Sequence, residues 1–513
     1  MSHRKLLLCA KKTAIINYIN VHEGVFMAKG PKLNKTGYNF TARDNLGIEG
    51  ATASIQADLC PVINTVTPRA FYWPFMVWNY YDYHVNYKTE NKTSSDFDKN
   101  FLKKNDYFMV MANLIADNDQ NNLVGKTRAQ ENLDDKSVTM YPYDRTYFKT
   151  TFGGMQYYNA GCLTMGFITD EDGEGNHFSL FRLTKEVGEP MALAFAKVIE
   201  NTEYYKNYRL IDAEVPYAVL QELGQVLKFN LDGFDEVKAL LKDALFKPKS
   251  NARLNNENLI KSSEYIKFIY FQHDITNPTL YEMRRVLFDY FSPRGEAKPY
   301  DDSLTEIVND WEIVVGRQYL TMAVELMWKY MLWMLADTIT LNEWVEICVN
   351  TAKWNIDYNK PLNTLLPECN YNFEEREKMI STGSGASKNY GANIETGLKI
   401  LLSLYNRFVN RDGLNENYLH EGDDVSISSL IKLVDEYSDK PIIEFIQYVM
   451  VNWIVKRHES VAREKLLQGR DGFYFERIDD LYVPAGHLAE PGFKGLRLLQ
   501  LMQVMKDLDM LEN

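Results

Sequence analysis

Cysteine is scarce in this chain, and its distribution sets the first exclusion. Cys9, Cys60, Cys162, Cys348 and Cys369 are odd in number, far apart and without a Cys-x-x-Cys pair. Neither a disulfide framework nor a zinc site is signalled, and a reducing cytoplasm is the natural setting. Long apolar runs are also missing. The opening MSHRKLLLCAKK is closed by Lys11 and Lys12 before it reaches signal-peptide length. TMAVELMWKYMLWML carries Glu325 and Lys329 one helical turn apart, which argues against a span, so no membrane partner is expected. An excess of positive charge is lacking too. With 57 basic and 70 acidic residues the formal charge is −13, so any nucleic-acid contact has to be a local patch.

Motifs of known chemistry are equally sparse. The eight histidines form no H-x-x-x-H or H-E-x-x-H, and no G-x-S-x-G occurs. The triplet Gly125-Lys126-Thr127 does not end a phosphate loop, because Gln120 stands where such a loop requires glycine. STGSGASKNYG, residues 381–391, reads as a loop without that register. Asp170, Asp172 and Glu174 mimic the opening of a calcium loop, but its twelfth position is Phe181, so a hairpin turn is the better reading. Asp232, Asp235, Glu236 and Lys238 supply the residue types of a metal-dependent nuclease. They also open a predicted helix, where acids suit the positive dipole end and Lys238 is expected to be exposed. No metal and no cofactor are expected. A site assembled from distant residues stays open, because catalytic triads need not be local in sequence.

What is present in abundance is aromatic side chains. Phe71, Tyr72, Trp73, Phe75, Trp78, Tyr80, Tyr81 and Tyr83 fall within thirteen residues, behind a turn bounded by Pro61 and Pro68. This is too aromatic for a solvated loop and reads as a buried keystone formed by Arg69, Phe71, Tyr72, Trp73 and Trp78. Arg69 is expected to be held near the turn by backbone carbonyls or a carboxylate, with Phe71, Trp73 and Trp78 in the core.

At 513 residues the chain exceeds what one core usually serves. The predicted fold class is mainly α, a multi-helix assembly with small α+β, winged-helix-like subdomains in the middle and at the C-terminus. Four segments are expected: a helical domain at 1–117 with a basic arm and the keystone, a mixed α/β part at 118–246, a helical bundle at 259–420, and a helix-hairpin-helix part at 421–513. Helices are predicted from Ser54 to the Pro61 break, after Pro68, over Phe97–Ala116, around Val219–Leu227 and Val237–Leu245, and over Asp302–Thr338. Short strands are predicted around DEDGEGN and in GFYFERI and LYVPAG, with helices at Ser426–Glu436, Pro441–Leu467 and Gly495–Leu511.

Two basic patches interrupt the acidic chain. Residues 1–40 carry a local charge of +6, read as a solvated arm or as an arm touching phosphate or an acidic partner. Near the C-terminus, Lys456, Arg457, Arg463, Lys465 and Arg470 outweigh Glu459 and Glu464, with Arg457 and His458 near the centre. A face binding nucleic acid or a partner and an ordinary exposed helix face fit that pattern equally.

Leu46-Gly47, Leu59, Pro61, Ile63, Asn64, Thr67, Arg69, Phe71-Tyr72 and Trp78 lie in a run that resembles the N-terminal pattern of large uncharacterised bacterial proteins from phage-defence islands. That pattern reads Leu-x-Pro-Gly-Ile-x-Asn-x-Thr-x-Arg, followed by an aromatic pair and a nearby Trp. The usual glycine after the proline is Val62 here. HESVAREKLLQGRDGFYFE and the closing DLDMLEN resemble family members that finish with a wing-like hairpin and helix. The resemblance implies a bacterial cytoplasmic component of a defence operon, partnered by an ATPase or nuclease encoded alongside. Three readings follow: a non-catalytic scaffold or sensing subunit, which is favoured, a nuclease or nucleotide hydrolase, and a DNA-binding regulator.

Overall fold

The computed structural model describes residues 44–88, 92–118, 122–133, 137–142, 155–172, 174–248, 252–272, 275–289, 302–384, 390–422 and 424–512. The basic arm at 1–40 and the Gly153-Gly154 turn lie outside these residues. The described chain is mainly helical with small antiparallel sheets. It divides into two compact units. One comprises the chain up to Thr52 together with Val315–Phe493, and the other comprises Ala53–Val314 and Lys494–Asn513.

The second of these units is organised by the aromatic run. Tyr72–Val85 is a helix buried on nearly all sides, the state expected when apolar residues surround the whole helical circumference. Pro74 is tolerated because it lies in the first turn, where its missing N–H has no intrahelical partner. Trp78 stacks on Phe195 of helix Gly188–Ile199, with ring centroids 5.6 Å apart. Trp73 meets Tyr158 of helix Gln156–Thr164 edge-on at 5.5 Å. On the other side Tyr80 stacks on Phe97 at 4.4 Å.

Phe97 opens a π-helical turn, Phe97–Leu102, that runs directly into helix Lys103–Ile115. The helix predicted over Phe97–Ala116 is therefore interrupted at its start. The hairpin around the acidic turn pairs Ile168–Glu171 with His177–Leu183, antiparallel and with a register shift between Thr169 and Glu171. Helix Tyr217–Val226 crosses Lys103–Ile115 so closely that a Cβ at Gly224 would lie 2.2 Å from Ala112 O. The last helix, Arg497–Asp507, returns to the Pro61–Pro68 turn, where Arg497 Nη1 donates to Ile63 O at 2.8 Å.

In the other unit, the buried continuation of helix Thr305–Met334 packs Trp328 against Trp344 and His458. Thr340 and Glu343 form a capping box at the start of helix Leu341–Thr351. Ser426 caps helix Ile427–Tyr437 in the same way through Ser429. The stretch predicted as one helix over Pro441–Leu467 is helical throughout but changes to π geometry at Val449–Lys456, between Ile442–Tyr448 and Arg457–Leu467. A three-stranded antiparallel sheet orders Ile339–Thr340, Leu481–Pro484 and Phe475–Ile478. Its hairpin turns at Asp479-Asp480, with Asp479 at a φ of 54°.

Two boundaries and one burial differ from expectation. The helix predicted from Ser54 begins at Glu49, because Asp44 accepts from the N–H groups of Glu49 and Gly50 and caps the earlier start. The loop predicted at 381–391 begins inside helix Phe373–Ser384 and ends in a 3₁₀ turn at Tyr390–Ala392, with 385–389 outside the described residues. Lys238 is buried, contrary to its predicted exposure. Its Nζ donates to Asp509 Oδ2 at 2.6 Å, so a partner from the far end of the chain covers it.

Candidate functional site

The keystone is held by charge as well as by aromatic packing. Arg69 Nε donates to Asp507 Oδ2 at 3.0 Å, and both side chains are buried. Asp507 also accepts from the Ala70 N–H at 3.0 Å and from Gln503 Nε2 at 3.0 Å. Burial pushes the Asp507 carboxyl upward, and Arg69 with these two donors pulls it back. Phe71, Tyr72, Trp73 and Trp78 all lie in the core. Val62, in the turn beneath, takes a φ of 63°. That is the left-handed region a β-branched residue avoids and a glycine enters freely.

The C-terminal basic helix is resolved by the structure into two groups. Arg457 turns inward on its own unit, with Nε donating to Leu46 O at 2.5 Å, Nη2 to Gly47 O at 3.1 Å and Nη1 to Asp424 at 3.2 Å. Lys465 Nζ donates to Asp44 O at 2.8 Å. These two cations occupy the backbone carbonyls of Asp44, Leu46 and Gly47. His458 is not part of any exposed patch. Its Nδ1–H donates to Asn45 O at 3.1 Å and its Nε2 accepts from the Tyr474 N–H at 3.1 Å, so a single neutral tautomer satisfies both. Burial drives its pKa down to about 4.

Lys456, Arg463 and Arg470 remain exposed. Along the helix, the exposed positions Lys456, Ser460, Arg463, Glu464 and Leu467 recur at helical spacing and form one stripe. Leu467, at its end, is 91% exposed. Arg463 lies 3.9 Å from Glu459, which also holds Arg477 at 3.2 Å. The hairpin beside this helix presents Asp479 and Asp480 at its tip, a sign that repels phosphate. Leu467 lies outside the charge pattern that marks the basic helix in the sequence. Its sequence signal is its place in the i, i+4, i+7, i+11 series Lys456, Ser460, Arg463, Leu467.

The remaining candidates fall into structural roles. Asp235 and Glu236 occupy the first turn of helix Asp235–Phe246, and Glu236 pairs with Lys197 at 3.1 Å on the surface. Asp172 caps its own turn by accepting from the N–H groups of Glu174 and Asn176, while Asp170 pairs with Arg253 at 2.9 Å. Among the described residues, no group of three or more His, Cys, Asp or Glu side chains is placed to hold a metal ion, and no helix is long and apolar enough to cross a membrane. Cys60, Cys162, Cys348 and Cys369 are buried and free, and burial pushes every one of these thiols upward, Cys60 to about 12 and Cys369 to about 11. They are protonated at neutral pH and poor nucleophiles.

Comparison with protein-family models, curated proteins and solved structures finds no match.

Proposed function

We propose that the protein is a non-catalytic scaffold or sensing subunit of a bacterial anti-phage assembly, and that it meets a companion protein through the exposed stripe Lys456–Ser460–Arg463–Leu467, extended by Arg470. The observation that carries this reading is the division of labour on the basic helix. Arg457 and Lys465 are committed to backbone carbonyls, and what faces outward combines Lys456 and Arg463 with Glu464 and a leucine that is 91% exposed. Arginine beside an apolar anchor suits the core of a protein interface, where charged rims set specificity. The phage-defence setting rests on the sequence resemblance, which also implies an operon-encoded ATPase or nuclease as the companion.

Nucleic acid is the competing ligand for the same cations. The acidic tip at Asp479-Asp480 weighs against a hairpin that tracks phosphates, and Leu467 offers a phosphate nothing. Co-purification of the tagged chain with the products of its neighbouring genes decides between the two. Arg463→Glu combined with Leu467→Asp should release the companion while leaving the melting temperature in place. Loss of salt-dependent DNA binding with the companion still attached would favour nucleic acid. Degradation of DNA or RNA by the purified chain with magnesium or manganese would overturn the non-catalytic reading.

A further inference from the structure

A cleft of about 440 Å³ opens between helices Asp235–Phe246 and Glu257–Gln272, in the unit that holds the aromatic helix. Its size falls within the roughly 300–1,000 Å³ usual for small-molecule sites. Each helix contributes one face. Ala239, Lys242 and Phe246 lie at i, i+3 and i+7 on the first, and Ile260, Glu264 and Lys267 at i, i+4 and i+7 on the second. Met510, beyond the last helix, closes a third side. The walls are tied together. Asn256 Nδ2 on one wall donates to Leu245 O on the other at 3.3 Å. Lys238 holds Asp509 at 2.6 Å and the Met510 N–H donates to Met505 O at 2.9 Å, which fixes the third side. The cleft is thus formed before anything binds, and a ligand pays little for its assembly.

The lining has an apolar part and a charged part. Phe246, Ile260 and Met510 supply the first, and Ile260 is 38% exposed, so a ligand that covers them removes apolar area from water. The charges are of two kinds. Asp243 pairs with Lys247 at 3.7 Å and Glu264 with Lys267 at 2.8 Å, so each acid of the lining already has a lysine of the lining. Lys242 is the cation left over. It is half-buried and makes no ion pair or hydrogen bond among the described residues. The complement of this cleft is an apolar body that carries one anionic group.

We propose that the cleft binds an amphiphilic monocarboxylate, with an aliphatic chain laid along Phe246, Ile260 and Met510 and the carboxylate on Lys242. A single carboxylate matches a single unengaged ammonium, a compact point charge that accepts an anion without a fixed fork geometry. The Asp243–Lys247 pair is solvent-exposed on both sides and therefore weak, which leaves Lys247 free to turn toward the same head group. The cleft and the Lys456–Leu467 stripe belong to different units of the chain, so the ligand site stands or falls separately from the companion contact.

The test uses the full-length protein, with decanoate, decanol and decyltrimethylammonium as probes, each below its micelle-forming concentration. Titration calorimetry and melting temperature are the two readouts, since a probe that binds only the folded chain raises its melting temperature with concentration. Saturable binding of decanoate is expected, several-fold tighter than that of the alcohol, with the cationic probe weakest. Lys242→Met should reduce decanoate to the level of the alcohol and leave the melting temperature of the unliganded chain in place. Ala239→Trp, which grows from an exposed helix position into the cleft, should abolish binding of both. If that variant does not fold, Ile260→Glu, which sets a like charge in the cleft, decides in its place. Absence of saturable decanoate binding by wild type, equal binding of the anionic and cationic probes, a Lys242→Met that keeps the preference for decanoate, or unchanged binding in a folded cleft variant overturns the proposal. So does release of a co-purifying companion by Ala239→Trp with no decanoate bound to wild type, which assigns the groove to a protein segment.

Discussion

Arg69 and Asp507, 438 positions apart in the chain, meet as a buried ion pair with Nε 3.0 Å from Oδ2. Removing the charge from one partner breaks a buried ion pair, which costs about 3–5 kcal/mol. Asp507→Asn should lower the urea midpoint accordingly. Arg69→Met combined with Asp507→Leu should recover most of the loss, since neither charge then has to be kept in the interior. A double variant as unstable as the single one would mean that the Ala70 N–H and Gln503 contacts to Asp507 matter more than the ion pair.

Val62 takes a φ of 63°, in the left-handed region that a β-branched residue avoids. The left-handed conformation costs an L-residue roughly 1–2 kcal/mol, partly offset by the greater unfolded-state freedom of glycine. Val62→Gly is expected to raise stability by about 1 kcal/mol in denaturant titration. A neutral or negative change would show that contacts of the Val62 side chain outweigh the backbone strain.

At Gly224 the backbones of helices Tyr217–Val226 and Lys103–Ile115 come together, and a Cβ would fall 2.2 Å from Ala112 O and 2.7 Å from Ala116 Cβ. Neither neighbour is a flexible side-chain end. Gly224→Ala should cost at least about 1–3 kcal/mol, the range for overpacking. A variant that melts with wild type would mean that the two helices can separate at no cost.

His458 makes stability depend on pH. The folded chain holds the imidazole neutral, with a pKa near 4, against an ordinary value of 6.5. Below pH 6.5 the unfolded chain takes up a proton that the folded chain refuses. Stability should therefore fall by up to roughly 3 kcal/mol as the pH drops from 6.5 to 4, and this contribution should level off below that. Urea midpoints of wild type and His458→Gln at pH 7, 5.5 and 4.5 isolate the effect. Parallel pH profiles would show that the imidazole is not the group responsible.

Trp78 lies in the core between Phe75, Phe195 and Tyr205. Trp78→Ala should cost about 3–5 kcal/mol and reduce soluble yield, with any loss of function secondary to that. Unchanged melting with abolished partner binding would instead place Trp78 in a recognition surface.

Much of the secondary structure was legible because it is local. The helices with an apolar stripe, such as Val237–Leu245, and the turn-marked hairpin at Asp479-Asp480 follow from periodicity and turn chemistry between neighbours in sequence. The candidate site was legible only in composition. Five cations near the C-terminus were visible, but which of them point outward depends on the backbone at Asp44, Leu46 and Gly47, more than 400 positions away.

By itself the sequence determined that the chain would be helical, acidic and built around an aromatic helix, since those properties follow from the spacing and chemistry of adjacent residues. Tertiary structure alone decided that Asp507 would neutralise Arg69, that Asp509 would cover Lys238, and that His458 would be neutral. Each of these depends on the energy of a charge in a low-dielectric interior, and that energy is set by which distant groups share the same few ångströms.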